Sequence, residues 1–158
     1  AASGLYKSAD NFATTQQLLS NVPVAAFRLL RNGTALELFV SAFSEPAYTG
    51  GVLRSRDGGA SWQQMATAPA AGVAFGLAAS PTESVMLATD QGIDLLPAGE
   101  TSWRTADVRG GAPAGGFRYI GMTTDEQGIA LPADPSAGTV WFTFDGGQRW
   151  TASRLIGS

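Results

Sequence analysis

Short runs rich in apolar and β-branched residues recur along the chain, and they end in clusters of glycine, proline, asparagine or aspartate. Runs of this kind are typical of β-strands joined by turns. The one helix-like stretch, residues 14–20, falls where the spacing of the other elements places a strand, so we expect a strand there too. The predicted strands are residues 4–8, 16–19, 24–30, 35–42, 51–55, 61–66, 73–79, 84–89, 92–96, 102–108, 117–123, 128–131, 139–144 and 149–155.

One short phrase occurs twice, each time between two predicted strands. It reads SRDGGASW at 55–62 and TFDGGQRW at 143–150, and both copies fit S/T-x-D-G-G-x-x-W. An Asp followed by two Gly predicts a tight turn, because its carboxylate can accept hydrogen bonds from backbone N–H groups ahead of it and glycine tolerates positive φ. The residues expected to stabilise these turns are Ser55, Asp57, Gly59 and Trp62 in the first copy, and Thr143, Asp145, Gly147 and Trp150 in the second.

Two degenerate copies keep the same spacing. Residues 8–15 retain the Ser and the Asp but end in Thr15, whereas residues 96–103 retain Trp103 and lack the Asp. The last positions of the four copies are separated by 47, 41 and 47 residues. That is close to the roughly 40–50 residues of a four-stranded propeller blade.

The spacing therefore predicts an all-β fold, a β-propeller segment of about 3.5 four-stranded blades. We expect one segment over residues 1–158, made of a half-blade at 1–20 and blades at 23–66, 73–108 and 117–155. Complete propellers have about 4–8 blades, so we expect the C-terminal part of a larger propeller. Its open edges should be completed by a preceding N-terminal segment or by a second chain.

The amino-acid composition excludes several kinds of active site and partner. The chain has no histidine and no cysteine, which excludes a Ser-His-Asp or Cys-His arrangement and disulfides within these residues. We expect no metal and no cofactor. A net charge of −3 without a basic cluster argues against nucleic acid, and the lack of a run of ~20 apolar residues argues against membrane insertion.

The repeated phrase resembles the Asp box (BNR repeat) of sialidase-like β-propellers. The last repeat, Phe117 to Leu131 followed by the phrase at 143–150, is similar to blades of the photosystem II stability and assembly factor family and its bacterial relatives. That resemblance implies a non-catalytic scaffold that binds or assembles other proteins, in an extracytoplasmic or secreted location. It also implies that Asp57 and Asp145 stabilise turns and are not catalytic.

Three functions remain open, of which a protein-binding propeller is favoured. The others are a carbohydrate-binding propeller and part of a sialidase-like glycosidase, which needs carboxyl groups that converge on one sugar. We expect no complete active site, because no spacing brings the acidic residues together. Exposed aromatic residues would favour glycan binding, and Phe43, Tyr48 and Trp141 are available for it. The possible binding-face residues, at predicted strand ends and loops, are Glu45, Tyr48, Asp90, Arg118 and Asp134, with Arg28 a further candidate.

Overall fold

A computed structural model of the protein describes residues 4–32, 35–44, 49–67 and 72–155. These residues are almost entirely β-structure, so the all-β prediction is confirmed. Within these ranges no helix is long and apolar enough to span a membrane. The strands are β1 (Gly4–Lys7), β2 (Gln16–Ser20), β3 (Val24–Asn32), β4 (Ala35–Ser44), β5 (Thr49–Ser55), β6 (Gln63–Thr67), β7 (Ala74–Ala79), β8 (Val85–Thr89), β9 (Ile93–Leu96), β10 (Arg104–Thr105), β11 (Asp107–Val108), β12 (Phe117–Met122), β13 (Gly128–Pro132), β14 (Thr139–Thr143) and β15 (Arg149–Arg154).

The strands form sheets in which sequence neighbours pair. β1 and β2 form a two-stranded pair, β3 to β6 form one four-stranded sheet, and β7 to β10 form another. The last sheet has the order β11-β15-β14-β13-β12. All of these pairings are antiparallel except that of β11 with β15. The helix-like stretch at 14–20 is strand β2, as predicted.

One predicted strand is wrong in its extent. Residues 102–108 do not form a single strand, because the chain passes from one sheet to the next at Ala106. The Ala106 N–H donates to Ile93 O at 2.9 Å, whereas the next N–H, of Asp107, donates to Gln148 O at 2.8 Å. Two short strands result. β10 belongs to the sheet of β7–β9, and β11 adds a parallel fifth strand to the last sheet.

The chain divides into two compact units, Ala1–Ala68 and Pro69–Ser158. In the first unit, the turn that begins at Ser55 packs on β2. A Cβ added to Gly59 would lie 2.7 Å from a Leu18 methyl carbon, and its positive φ of 94° also favours glycine. The expectation that residues 1–158 act as one propeller segment stays a prediction.

The core of the second unit lies between its two sheets. Phe117 and Trp141 meet edge to face, with ring centroids 5.2 Å apart. Met86 and Leu95 of the other sheet are buried in the same cluster. Gly76 lets β7 approach β12, since a Cβ there would lie 3.1 Å from Arg118 O. Packing of these two sheets on each other therefore positions the candidate site residues of this unit.

Candidate functional site

Three turns share one hydrogen-bond pattern; we call residues 8–15, 55–62 and 143–150 the Asp turns. In the second, the Ser55 hydroxyl donates to Asp57 Oδ1 at 2.8 Å and accepts from Gly59 N at 2.7 Å. Asp57 Oδ1 also accepts from Ser61 N at 2.9 Å, and its Oδ2 accepts from the Ser61 hydroxyl. Each Asp turn is thus closed by a hydroxyl and a carboxylate acting together.

The first Asp turn reproduces this pattern although its sequence is degenerate. Ser8 Oγ donates to Asp10 Oδ1 at 2.8 Å and accepts from Phe12 N at 2.8 Å. Asp10 accepts from Thr14 N at 2.9 Å and from Thr14 Oγ1 at 2.6 Å. The Ser and the Asp therefore suffice for the turn, and the Trp does not determine it.

The third Asp turn differs at its seventh position. Thr143 Oγ1 donates to Asp145 Oδ1 at 3.0 Å, and Arg149 N donates to the same oxygen at 2.9 Å. Arg149 has no hydroxyl, and its guanidinium instead lies 3.3 Å from Asp107 Oδ2. The Trp150 indole is fully buried and donates to Gly147 O at 3.0 Å.

The fourth copy, residues 96–103, lacks the Asp, and its turn is built differently. Glu100 N donates to Pro97 O at 3.0 Å, and Gly99 supplies a positive φ of 77°. An ion pair joins Glu100 to Arg104, four residues further on at the start of β10. The fold thus keeps a turn at this position without the carboxylate.

The Asp turns also shift the acidity of their carboxyl groups. Hydrogen bonds hold the pKa of Asp57 far below its usual range. The largest effect comes from the Ser61 side chain, and smaller ones come from the Ser61 backbone and from Ser55. Thr14 and Ser8 lower the pKa of Asp10 in the same way. A carboxylate so strongly held in its ionised form is unsuited to general acid catalysis.

The second unit has a loop end, which we define by Asp90, Gly116, Arg118 and Asp134. Gly116 connects its parts: a Cβ added to it would lie 2.0 Å from Thr89 O, and its own carbonyl accepts from Ala133 N at 2.9 Å. The structure therefore brings three of the predicted binding-face residues to one end of these two sheets. The other two, Glu45 and Tyr48, lie outside the described residues.

The two carboxylates of the loop end support the backbone. Asp90 Oδ1 accepts from Val73 N at 2.8 Å, which ties the start of β7 to the end of β8. Asp134 caps a 3₁₀ turn at Pro135–Ala137 by accepting from Ser136 N at 2.9 Å. The same Ser136 contacts lower the pKa of Asp134.

Arg118 is exposed near the start of β12. Its guanidinium carbon lies 3.5 Å from the centroid of the half-buried Phe75 ring on β7. Stacking on an aromatic face fixes the planar cation while leaving its N–H donors available. Among the described residues, Arg118 forms no ion pair.

The aromatic residues considered for glycan binding do not form an exposed platform in the described part of the chain. Trp141 is 7% exposed and packs in the core, so it cannot serve as an exposed glycan platform. The side chain of Phe43 lies outside what the structure describes. Sequence reasoning missed the exposed Tyr119 and Phe144. Their place in alternating strands was visible, but the face that would remain uncovered was not.

At the opposite end of the second unit lies an open cavity of about 420 Å³. Asp107, Asp125, Asp145 and Arg104 are among its lining residues. Asp125 Oδ1 accepts from the Thr82 backbone at 2.8 Å and from its hydroxyl at 2.7 Å. Within the described ranges, no three His, Cys, Asp or Glu side chains are grouped so that they could hold a metal ion.

No protein-family profile and no curated protein matches the chain. Solved structures do match. YCF48 from Cyanidioschyzon merolae is 20% identical with a TM-score of 0.59, over 97% of this chain and 50% of that one. YCF48 bound to D1 peptide is 17% identical with a TM-score of 0.50, over 93% of this chain and 59% of the other.

These matches define the class of fold. The chain spans between half and three fifths of the length of the solved structures that it matches. Its consecutive antiparallel sheets, together with this likeness, make it a partial β-propeller, as the sequence predicted. At such low identity the likeness concerns the fold alone.

Proposed function

We propose that this chain is part of a non-catalytic β-propeller scaffold that binds a segment of another protein. YCF48, which shares the fold, is a photosystem II assembly factor and has been solved with a D1 peptide bound. The photosynthetic role does not transfer with the fold. What we carry over is the mode of action, a propeller that takes a peptide as its ligand.

We also propose that the Asp turns are genuine Asp boxes of the BNR type. Their support is the hydrogen-bond pattern that residues 8–15 and 55–62 share in full and residues 143–150 share in all but one contact. In this proposal Ser55, Asp57, Thr143 and Asp145 are structural. An extracytoplasmic or secreted location belongs to the proposal and rests on the resemblance of the sequence alone.

The observation that carries the binding proposal is the Arg118–Phe75 pair at the loop end. An exposed guanidinium that is held flat on an aromatic ring loses little freedom when it pairs with a carboxylate. We therefore expect an extended peptide with an acidic side chain or a terminal carboxylate to bind there.

The enzyme alternative gains no support from the loop end. A glycosidase needs two carboxyl groups that face one sugar, one of them acting as an acid. Asp90 and Asp134 are instead engaged with the backbone at Val73 and Ser136, and the pKa of Asp134 is lowered. Trp141, which was a candidate for glycan binding, lies in the core and lends that alternative no support.

Selection from a random-peptide phage library on the immobilised chain tests the proposal. We expect acidic peptides to be enriched and Arg118→Gln to weaken their binding about tenfold, the loss expected for one charge-assisted hydrogen bond. Arg154→Gln is the matched control, an exposed arginine at the end of β15. Asp145→Ala should lower stability without weakening binding. Selected peptides that bind Arg118→Gln as well as wild type would overturn the assignment to the loop end.

A further inference from the structure

The last sheet has apolar side chains on both of its faces. One face carries Ile120, Ala130 and Trp141 and is buried in the core of the second unit. The opposite face, which we call the outer face, consists of Tyr119, Ile129, Leu131, Val140, Phe142 and Phe144. All of these except the buried Val140 are exposed or half-buried, and Phe144 is 69% exposed.

The apolar side chains of the outer face pair with one another across the strands. Ile129 and Phe142 are direct cross-strand partners, and so are Tyr119 and Leu131. The rings of Phe142 and Phe144 stack with centroids 6.5 Å apart. Beside them lies an apolar hollow of about 340 Å³. Contiguous apolar surfaces of this kind usually mark an interaction site.

The preceding sheet shows what covers such a face. In that sheet, Ala78, Met86 and Leu95 lie opposite one another on three neighbouring strands, as Gly121, Ile129 and Phe142 do in the last sheet. The two rows occupy matching positions, because Leu95 and Phe142 each directly precede a copy of the repeat. Met86 and Leu95 are buried in one cluster with Ile120 and Met122. The outer face of one sheet is thus covered by the inner face of the next.

The chain also exposes an inner face of the matching kind. Arg28 is aligned through Phe39 with Arg54, which directly precedes the turn at Ser55. Arg28 therefore matches Gly121 of the last sheet, and its neighbours Phe27 and Leu29 on β3 match the buried Ile120 and Met122. Yet Phe27 is 56% exposed and Leu29 is 46% exposed.

We propose that the outer face of one copy of this chain docks on the Phe27–Leu29 face of a second copy. The contact would repeat, between copies, the sheet-on-sheet contact that the second unit already makes within one copy. Both halves of it are present and exposed on one polypeptide, which is the reason to assign a second copy as the occupant. The association is head to tail, so it leads to a ring or to a filament. This inference does not depend on the peptide-binding proposal.

The experiment uses the chain of residues 1–158 and two blocked variants. The double variant Leu131→Glu/Phe144→Glu places charge on the outer face, and Phe27→Glu places charge on the inner face. Phe12→Glu is the matched control, because Phe12 is 84% exposed in the first Asp turn and belongs to neither of the two faces as defined. Sedimentation velocity over a concentration series gives the mass, and circular dichroism with tryptophan fluorescence reports folding.

We expect wild type and Phe12→Glu to associate with rising concentration and each blocked variant to remain monomeric. A mixture of the two blocked variants should form a one-to-one dimer, since each retains the face that the other lacks. A monomeric wild type, or a mixture that stays monomeric, would overturn the proposal. If Leu131→Glu/Phe144→Glu fails to fold, Tyr119→Lys provides a second block of the same face with the same expected result.

Discussion

The Trp62 indole Nε1 donates a hydrogen bond to Leu18 O at 3.1 Å, across 44 residues of sequence. The bond joins the second Asp turn to strand β2. It uses the side chain that ends the repeat to hold the two-stranded pair against the four-stranded sheet of the first unit. Trp150, at the matching position, is bonded within its own turn to Gly147 O. The same residue type at the same place in the repeat therefore performs two different tasks.

Trp62→Phe tests this tether. Phenylalanine keeps most of the apolar contact and removes the donor, so we expect a loss of about 1 kcal/mol in the free energy of unfolding. Hydrogen exchange should quicken at the amides of the β1–β2 pair. Trp150→Phe, which leaves a buried carbonyl without its donor, should cost more and leave exchange in β1–β2 unchanged. Equal quickening of β1–β2 in both variants would mean that the tether has no local role.

Ser61→Ala should change the acidity of Asp57. The Ser61 hydroxyl is the largest cause that lowers the pKa of Asp57, so the pKa should rise towards its ordinary value of 3.8. A lowered folded-state pKa stabilises the protein above the unfolded value, and that stability is lost as the pH falls. The variant should be less stable than wild type at neutral pH, and the difference should shrink below pH 3.8. NMR titration of the Asp57 carboxyl carbon measures the shift, with Asp134 as the unaffected reference.

Asp94→Asn should change the stability at neutral pH in the opposite direction, by increasing it. Asp94 is 9% exposed, and its burial raises the pKa of the carboxyl group above 3.8, opposed in part by a hydrogen bond from Thr105. A raised folded-state pKa means that stability is lost as the pH rises through it. The neutral amide should therefore raise the melting temperature at neutral pH and have little effect below pH 3.8. A variant that melts lower than wild type at neutral pH would show that the charged form is needed.

Gly116 and Gly110 form a matched pair, since both have positive φ, +67° and +83°. Nothing lies within 4 Å of a Cβ added to Gly110, whereas one added to Gly116 meets Thr89 O at 2.0 Å. Gly110→Ala should cost about 1 kcal/mol through the backbone alone. Gly116→Ala should cost at least about 2 kcal/mol more, because the loop end must open to admit the methyl group. Urea unfolding measures both, and equal costs would contradict the close approach.

Most of the strands could be predicted from the sequence, because the repeat fixes their spacing. Even the degenerate phrase at 8–15 forms the expected turn, since Ser8 and Asp10 alone supply its hydrogen bonds. The split at Ala106 could not be predicted, because it depends on whether the Asp107 N–H meets a carbonyl of its own sheet or of the next. The uncovered outer face was hidden for the same reason: alternation predicts which residues share a face, and only packing decides what covers it.

Binding of an acidic peptide at the loop end of the second unit is tested most directly by NMR. A selected peptide is titrated into the isotope-labelled chain, and the amide shifts are followed. We expect saturable shifts at Asp90, Gly116, Arg118 and Asp134, none at Ser61 or Gly146 in the Asp turns, and loss of the shifts in Arg118→Gln. Shifts centred on the Asp turns or on the cavity beside Asp125, unchanged in Arg118→Gln, would contradict it.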